Sequence, residues 1–174
     1  MIYGLTLAGA IHTVLAMSGI VVGLVQLLRP KRGVGHRARG YAFVYAMLIA
    51  DGTAMLVFQF TGRFNILHVG AIVNLVSVVI AIVPLLRSPR PANWKYQHYY
   101  GMAWSYVGLL AAAATELVVR VGPWMTRGQA WAVTATVTAV VTTIGYILIE
   151  RYRPASDSQP ALRDAATQHD GVTT

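Results

Sequence analysis

The stretch FNILHVGAIVNLVSVVIAIVPLL, residues 64–86, decides the fold. Its 23 residues include no Asp, Glu, Lys or Arg. A helix of about 20 apolar residues is long enough to cross the hydrocarbon core of a bilayer, which is roughly 30 Å thick. Its one ionisable side chain is His68. We therefore predict a membrane-spanning helix that carries one histidine.

Four further apolar stretches lie on either side of it. They cover about Ile2–Leu28, Tyr41–Thr61, Tyr99–Val121 and Ala130–Ile149. None of the five shows the alternation of a transmembrane β-barrel, and only helices otherwise satisfy the backbone inside a bilayer. We predict an all-α integral membrane bundle of five transmembrane helices over residues 1–153. The polar, proline-containing residues 154–174 are predicted to form a disordered cytoplasmic tail.

Composition agrees with a membrane protein. The 174 residues are 56% hydrophobic and 11% charged, with a mean hydropathy of +0.54, whereas soluble domains carry about 25% charged residues. With no cysteine, the chain has no disulfides, thiolate metal sites or covalently attached c-type haem. The net charge of +8 lies mostly between the spans. We therefore expect anionic lipids as partners and no nucleic acid.

The basic residues also predict an orientation. Residues 29–39 hold five Lys and Arg residues and residues 87–97 hold three, whereas the opposite loops hold only Arg63 and Arg127. The positive-inside rule then places the N-terminus outside and the C-terminus in the cytoplasm of a multi-pass protein of the cell inner (plasma) membrane.

Two histidines and two carboxylates lie within the predicted spans, namely His12, His68, Asp51 and Glu116. Charges in a bilayer are costly, so such groups face a packed interior and find partners there. Helical spacing places all four in the outer half of the bundle. They form one candidate site, for a divalent transition metal such as zinc, iron or manganese, or for protons. Arg120, four residues after Glu116, is a candidate partner of its carboxylate.

Two more histidines, His36 and His98, lie at the predicted cytoplasmic edge. Neutral imidazole ligates haem iron, and a haem with two axial histidines needs them at one depth on facing helices. His36 and His98 meet this condition for a b-type haem if the second helix extends back to His36, and His12 and His68 form a less well matched second pair. Arg37 and Arg39 would attract a small anionic electron donor, and a quinol is the alternative donor.

Two motifs carry a resemblance to a known family. One is the HR…GY motif from His36 and Arg37 to Tyr41; the other runs from His98 to Arg120 and has the form H…M..SY.G…E…R. With His68 on the intervening helix, they resemble an uncharacterised prokaryotic family of small multi-spanning membrane proteins. The resemblance covers roughly residues 10–120 and implies no activity. It implies that one set of residues belongs together: His36, Arg37, Tyr41, His68, His98, Met102, Ser105, Tyr106, Glu116 and Arg120.

A weaker, architectural similarity is to the ascorbate-reducing dihaem cytochromes of vesicle membranes. Those proteins carry four histidines on four successive helices, and alternate helices pair them. The similarity implies that His12 pairs with His68 and His36 with His98.

Three functions therefore stay open from the sequence. The first is b-type haem binding with electron transfer across the membrane. The second is a non-haem metal or proton site in a small transporter or sensor. The third is a non-catalytic membrane protein without a cofactor, in which the buried charges serve helix packing. Whether the chain is an enzyme or a homo-oligomer also stays open.

Overall fold

The described part of the chain forms five α-helices. A computed structural model describes residues 6–58, 62, 64–121 and 126–154 and, at 119–121 and 127, the backbone alone. The helices are α1 (Leu7–Leu28), α2 (Gly33–Ala54), α3 (Ile66–Leu86), α4 (Trp94–Val121) and α5 (Arg127–Arg151). No strand occurs in these ranges, so the all-α prediction is confirmed. Residues 155–174 of the predicted disordered tail lie outside the described residues.

Four of these helices are long and apolar enough to cross a membrane, namely α1, α3, α4 and α5. Many of their large hydrophobic side chains point away from the bundle; Leu7 and Leu86, for example, are each 78% exposed. Such extensive exposed apolar surface is typical of a face that contacts lipid. The second helix is not among the four, because Arg37, Arg39 and Asp51 lower its hydrophobicity.

The first four helices close into a ring. In the described residues α1 packs on α2 and α4, and α3 packs on the same two helices, so α2 and α4 face each other across the centre. The centre is filled by Phe43, Met47, Val78 and Leu109. The fifth helix packs on α4 alone, where the hydroxyl groups of Thr115 and Thr138 lie 3.3 Å apart.

The backbones of α3 and α4 approach each other closely at Gly101. A Cβ atom there would lie 2.6 Å from the carbonyl oxygen of Ser77 and 2.8 Å from the backbone nitrogen of Ala81. Only glycine fits such a contact without a shift of backbone. Because His98 lies one turn earlier on α4, the same approach brings its ring to the backbone of Ala81.

The bounds of α2 differ from the prediction of about 41–61. The helix begins at Gly33 and ends at Ala54, so it includes His36. Apolar composition marks the part of a helix that suits lipid, whereas backbone hydrogen bonds continue through the basic residues 37 and 39. After Ala54 the chain turns, with the amide of Leu56 donating to the carbonyl of Thr53, and Phe58 packs on α3 at His68.

Candidate functional site

Four helices contribute to a polar layer, which consists of His12, Asp51, Asn74 and Glu116. His12 of α1 lies between α2 and α4: its Nδ1 is 2.9 Å from the carbonyl oxygen of Ala50, and its Nε2 is 3.8 Å from Oε1 of Glu116. A carbonyl oxygen can only accept, so Nδ1 carries a hydrogen. In the neutral ring Nε2 is therefore the basic nitrogen, and it faces the Glu116 carboxyl group. One proton can reside on either partner of this pair.

Asp51 of α2 pairs with Asn74 of α3 in the same layer. The Asn74 side-chain amide donates to both carboxylate oxygens, at 3.0 and 3.3 Å. Asn74 is 6% exposed, and its Oδ1 has no hydrogen-bond partner among the described residues. Because Ala50, which binds His12, immediately precedes Asp51, the two pairs are joined through the backbone of α2. Two polar side-chain pairs thus lie inside the bundle, one between α1 and α4 and one between α2 and α3.

His68 has different neighbours. Its Nδ1 accepts a hydrogen bond from the amide of Asn65, at 3.2 Å, in the capping box that begins α3. Its ring lies against Phe58 and Phe64, with centroids 5.1 and 4.9 Å apart. Since Nδ1 accepts, Nε2 carries the hydrogen, and it is buried without a partner in the described part of the chain. The ring contacts shown are with these phenylalanines, so the predicted pairing of His68 with His12 stays a prediction.

Metal ligation by the four predicted ligands is likewise untested. Within the described ranges no three His, Cys, Asp or Glu side chains are grouped so that they could hold a metal ion. The side chain of Arg120, the predicted partner of Glu116, lies outside the described residues.

His36 and His98 do meet, at the other end of the ring. Their ring centroids are 6.3 Å apart and the rings are perpendicular. The Nδ1 of His98 lies 3.1 Å from the carbonyl oxygen of Ala81 and therefore carries a hydrogen. This geometry agrees with the prediction that the two residues lie at one depth on facing helices, because α2 includes His36.

Gln26 fixes the state of His36. Arg39 Nε donates to Gln26 Oε1 at 2.8 Å, which orients the amide so that Gln26 Nε2 donates to Nδ1 of His36 and to its carbonyl oxygen. A neutral His36 that accepts at Nδ1 carries its hydrogen on Nε2.

A largely apolar region separates the two polar ends. Within it, Ser105 is fully buried, and its Oγ has no hydrogen-bond partner among the described residues. Ser105 follows His98 by seven residues and precedes Glu116 by eleven, or about 10 and 16 Å along the helix. A buried hydroxyl group without a protein partner is a typical position for an internal water.

The remaining residues predicted to belong together divide by exposure. Met102 and Tyr106 pack against the core, and the Tyr106 hydroxyl donates to the carbonyl of Ile20 at 3.2 Å. Arg37 and Tyr41 are exposed. Our sequence analysis missed Asn74, although an amide in the middle of the most apolar helix is a recognisable signal of contact between helices.

Comparison with known proteins places the chain in a family. No curated protein and no solved structure matches it. A family model described as "Predicted membrane protein (DUF2306)" matches residues 9–153, which cover all five helices except the first two residues of α1. This match confirms the resemblance to an uncharacterised membrane protein family that the motifs around His36 and His98 indicated. The chain belongs to this family of predicted membrane proteins.

Proposed function

We propose that this protein is a small transporter or sensor whose bundle relays protons. The observation that carries the proposal is the polar layer, in which four helices contribute two side-chain pairs, His12 with Glu116 and Asp51 with Asn74. Ionisable groups inside a membrane bundle typically mark proton or ion pathways. An imidazole with a basic nitrogen facing a carboxyl group is a pair that exchanges a proton readily.

The path continues from the polar layer toward the other end of the ring. The Oδ1 of Asn74, which has no partner in the described residues, offers a hydrogen-bonding position in the polar layer, and the buried hydroxyl of Ser105 offers one in the apolar region. His36 and His98 receive or deliver the proton at the far end, where the Nε2–H of His36 is available to donate. Internal water bridges the gaps, since these side chains are farther apart than one hydrogen bond.

The proposal includes a topology. The second helix crosses the membrane as a fifth span, because it lies between α1 and α3 and its Asp51 is paired inside the bundle. The N-terminus is outside and the C-terminus is in the cytoplasm of the inner (plasma) membrane. The ends of α1, α3 and α5 and the starts of α2 and α4 carry most of the Lys and Arg residues, which supports this orientation.

Proton flux into liposomes tests the function. Purified protein is reconstituted with a pH-sensitive dye inside, and a potassium gradient with valinomycin sets a negative interior potential. We expect faster acidification than in protein-free liposomes. A rate equal to that of protein-free liposomes, with helical protein shown to be incorporated, would overturn the proposal.

A b-type haem between His36 and His98 is the second candidate function. The contact between the two rings, with centroids 6.3 Å apart on facing helices, favours it, because two histidines of facing helices would hold such a haem. His98 already has the required state, with Nδ1–H on a backbone carbonyl. His36 would ligate through Nε2 only after the Gln26 amide turns to accept from Nδ1. Electrons would come from a quinol or a small anionic donor.

The haem candidate predicts a visible spectrum. Protein expressed with haem precursor is expected to show the sharp α-band of a bis-histidine b-type haem in its reduced-minus-oxidised spectrum, and His98→Ala is expected to abolish it. His68→Ala serves as the control, because His68 lies in the cap of α3. A flat spectrum, or a band that survives in His98→Ala, eliminates this candidate and leaves the proton relay untouched.

A further inference from the structure

One end of the bundle is strongly basic. The ends of α1, α3 and α5 and the starts of α2 and α4 meet there, as the contacts of Tyr99 with Ile149 and of His36 with His98 show. Ten basic residues lie in these segments: Arg29, Lys31, Arg32, Arg37, Arg39, Arg87, Arg90, Lys95, Arg151 and Arg153. The only carboxylate in the same segments is Glu150, which accepts from the Tyr100 hydroxyl at 2.7 Å and lies 3.4 Å from Arg153.

Lys31 and Arg39 both have contacts at the α1–α2 link at this end, and together they are called the basic pair. Lys31 follows α1, and its Nζ lies 6.0 Å from the ring centroid of Tyr99 on α4. The Arg39 guanidinium is held by Gln26 at Nε and lies 3.4 Å from the carbonyl oxygen of Pro30 at one terminal nitrogen. Its other terminal nitrogen lies beside Gly35, where a Cβ atom would be 3.1 Å away. The contacts of the basic pair therefore connect the α1–α2 link with the first turns of α2 and α4.

The charge of the basic pair is not neutralised within the described part of the chain, where neither Lys31 nor Arg39 pairs with a carboxylate. Positive charges held close together at a protein surface attract and stabilise a bound anion. A guanidinium held by neighbouring groups suits a phosphate group, since its nitrogens match phosphate oxygens.

Exposed apolar side chains lie beside the basic pair. Leu28 and Val34, on either side of the α1–α2 link, are 76% and 74% exposed, and Tyr41 is 63% exposed on the next turns of α2. A free phosphate ion would leave these surfaces uncovered, whereas the acyl chains of a phospholipid would cover them. The combination of the basic pair with exposed apolar side chains on both sides of the α1–α2 link favours a lipid over a soluble anion.

We infer that Lys31 and Arg39 bind the phosphate of an anionic phospholipid head group, with His36 and Tyr99 lining the site and Leu28 and Val34 contacting the acyl chains. The site is separate from the polar layer, so its existence does not depend on the proton relay. It assigns a specific lipid contact to two of the ten basic residues.

Thermal unfolding in detergent with added short-chain lipids tests this inference. We expect dioctanoyl phosphatidylglycerol to raise the Tm in a saturable way and dioctanoyl phosphatidylcholine to have little effect. Lys31→Gln is expected to weaken phosphatidylglycerol binding about tenfold, as for one lost charge-assisted contact. Arg87→Gln removes a charge from another loop of the same end and is expected to leave binding unchanged.

Three outcomes would overturn the site. Equal binding of phosphatidylglycerol to Lys31→Gln and to the unmodified protein would show that the basic pair does not bind the lipid. Equal loss in Arg87→Gln would show that binding follows overall charge. An equal Tm increase with inorganic phosphate alone would show a soluble-anion site without an acyl-chain contact. Arg39→Lys, which keeps the charge but not the planar donor, is the second variant if Lys31→Gln does not fold, and it is also expected to weaken phosphatidylglycerol binding.

Discussion

Glu116→Gln is expected to slow proton flux by about a hundredfold, the lower end of what a positioned acid or base typically contributes. Glutamine has nearly the same shape as glutamate and still offers an oxygen to His12, at a position where the two groups are now 3.8 Å apart. It cannot take up or release a proton near neutral pH. The bundle should therefore assemble while the relay loses its carboxyl group.

Glu150→Gln is the matched control for this change. Glu150 is also a partly buried glutamate, but it lies at the basic end, where it accepts from the Tyr100 hydroxyl. We expect flux within about twofold of the unmodified protein, since no positioned proton donor is lost. If Glu116→Gln and Glu150→Gln slow flux equally, or if neither does, the assignment of Glu116 to the relay is wrong.

Asn74→Leu is expected to reduce the free energy of unfolding by about 2 kcal/mol, because the donor to both oxygens of a buried carboxylate is lost. Leucine has a similar volume, so the cost comes from the unpaired Asp51 rather than from a cavity. Ser77→Ala, on the same helix, removes a hydroxyl that donates to the carbonyl of Val73 within α3, and it should change stability much less.

A double variant separates the pair from its surroundings. Asn74→Leu leaves the Asp51 carboxylate without its hydrogen-bond donor. If this causes the loss of stability, the double variant Asn74→Leu and Asp51→Leu should lose less free energy of unfolding than the sum of the two single changes. Thermal unfolding of all four proteins in one detergent measures this coupling. Strictly additive effects would mean that Asp51 and Asn74 do not interact.

The sequence predicts the helices well because lipid imposes a strong requirement on them. Twenty consecutive apolar residues have few other uses, so α1, α3, α4 and α5 are recognisable from composition. The second helix shows the limit of this signal. Its first turns carry Arg37 and Arg39, and backbone hydrogen bonding continues through them to Gly33, where hydrophobicity predicts no helix.

The candidate site could be predicted only in part. His12 and Glu116 share a layer as helical spacing indicates, and His36 faces His98. Spacing along one helix cannot reveal partners on another, so the contacts of Asp51 with Asn74 and of His36 with Gln26 required the packed bundle. The pairing of His68 with His12 rests on the similarity to dihaem cytochromes and stays a prediction, while the three-residue spacing from Asn65 places the His68 ring in a helix cap.

The most direct test of the central claim is infrared difference spectroscopy of the membrane-embedded protein between two bulk pH values. The claim is that carboxyl groups of the polar layer exchange protons with water on one side of the membrane. The account predicts a carboxylic C=O band whose intensity changes with pH, and a loss of part of that change in Asp51→Asn and in Glu116→Gln. A pH-dependent band that is identical in the unmodified protein and both variants would contradict it.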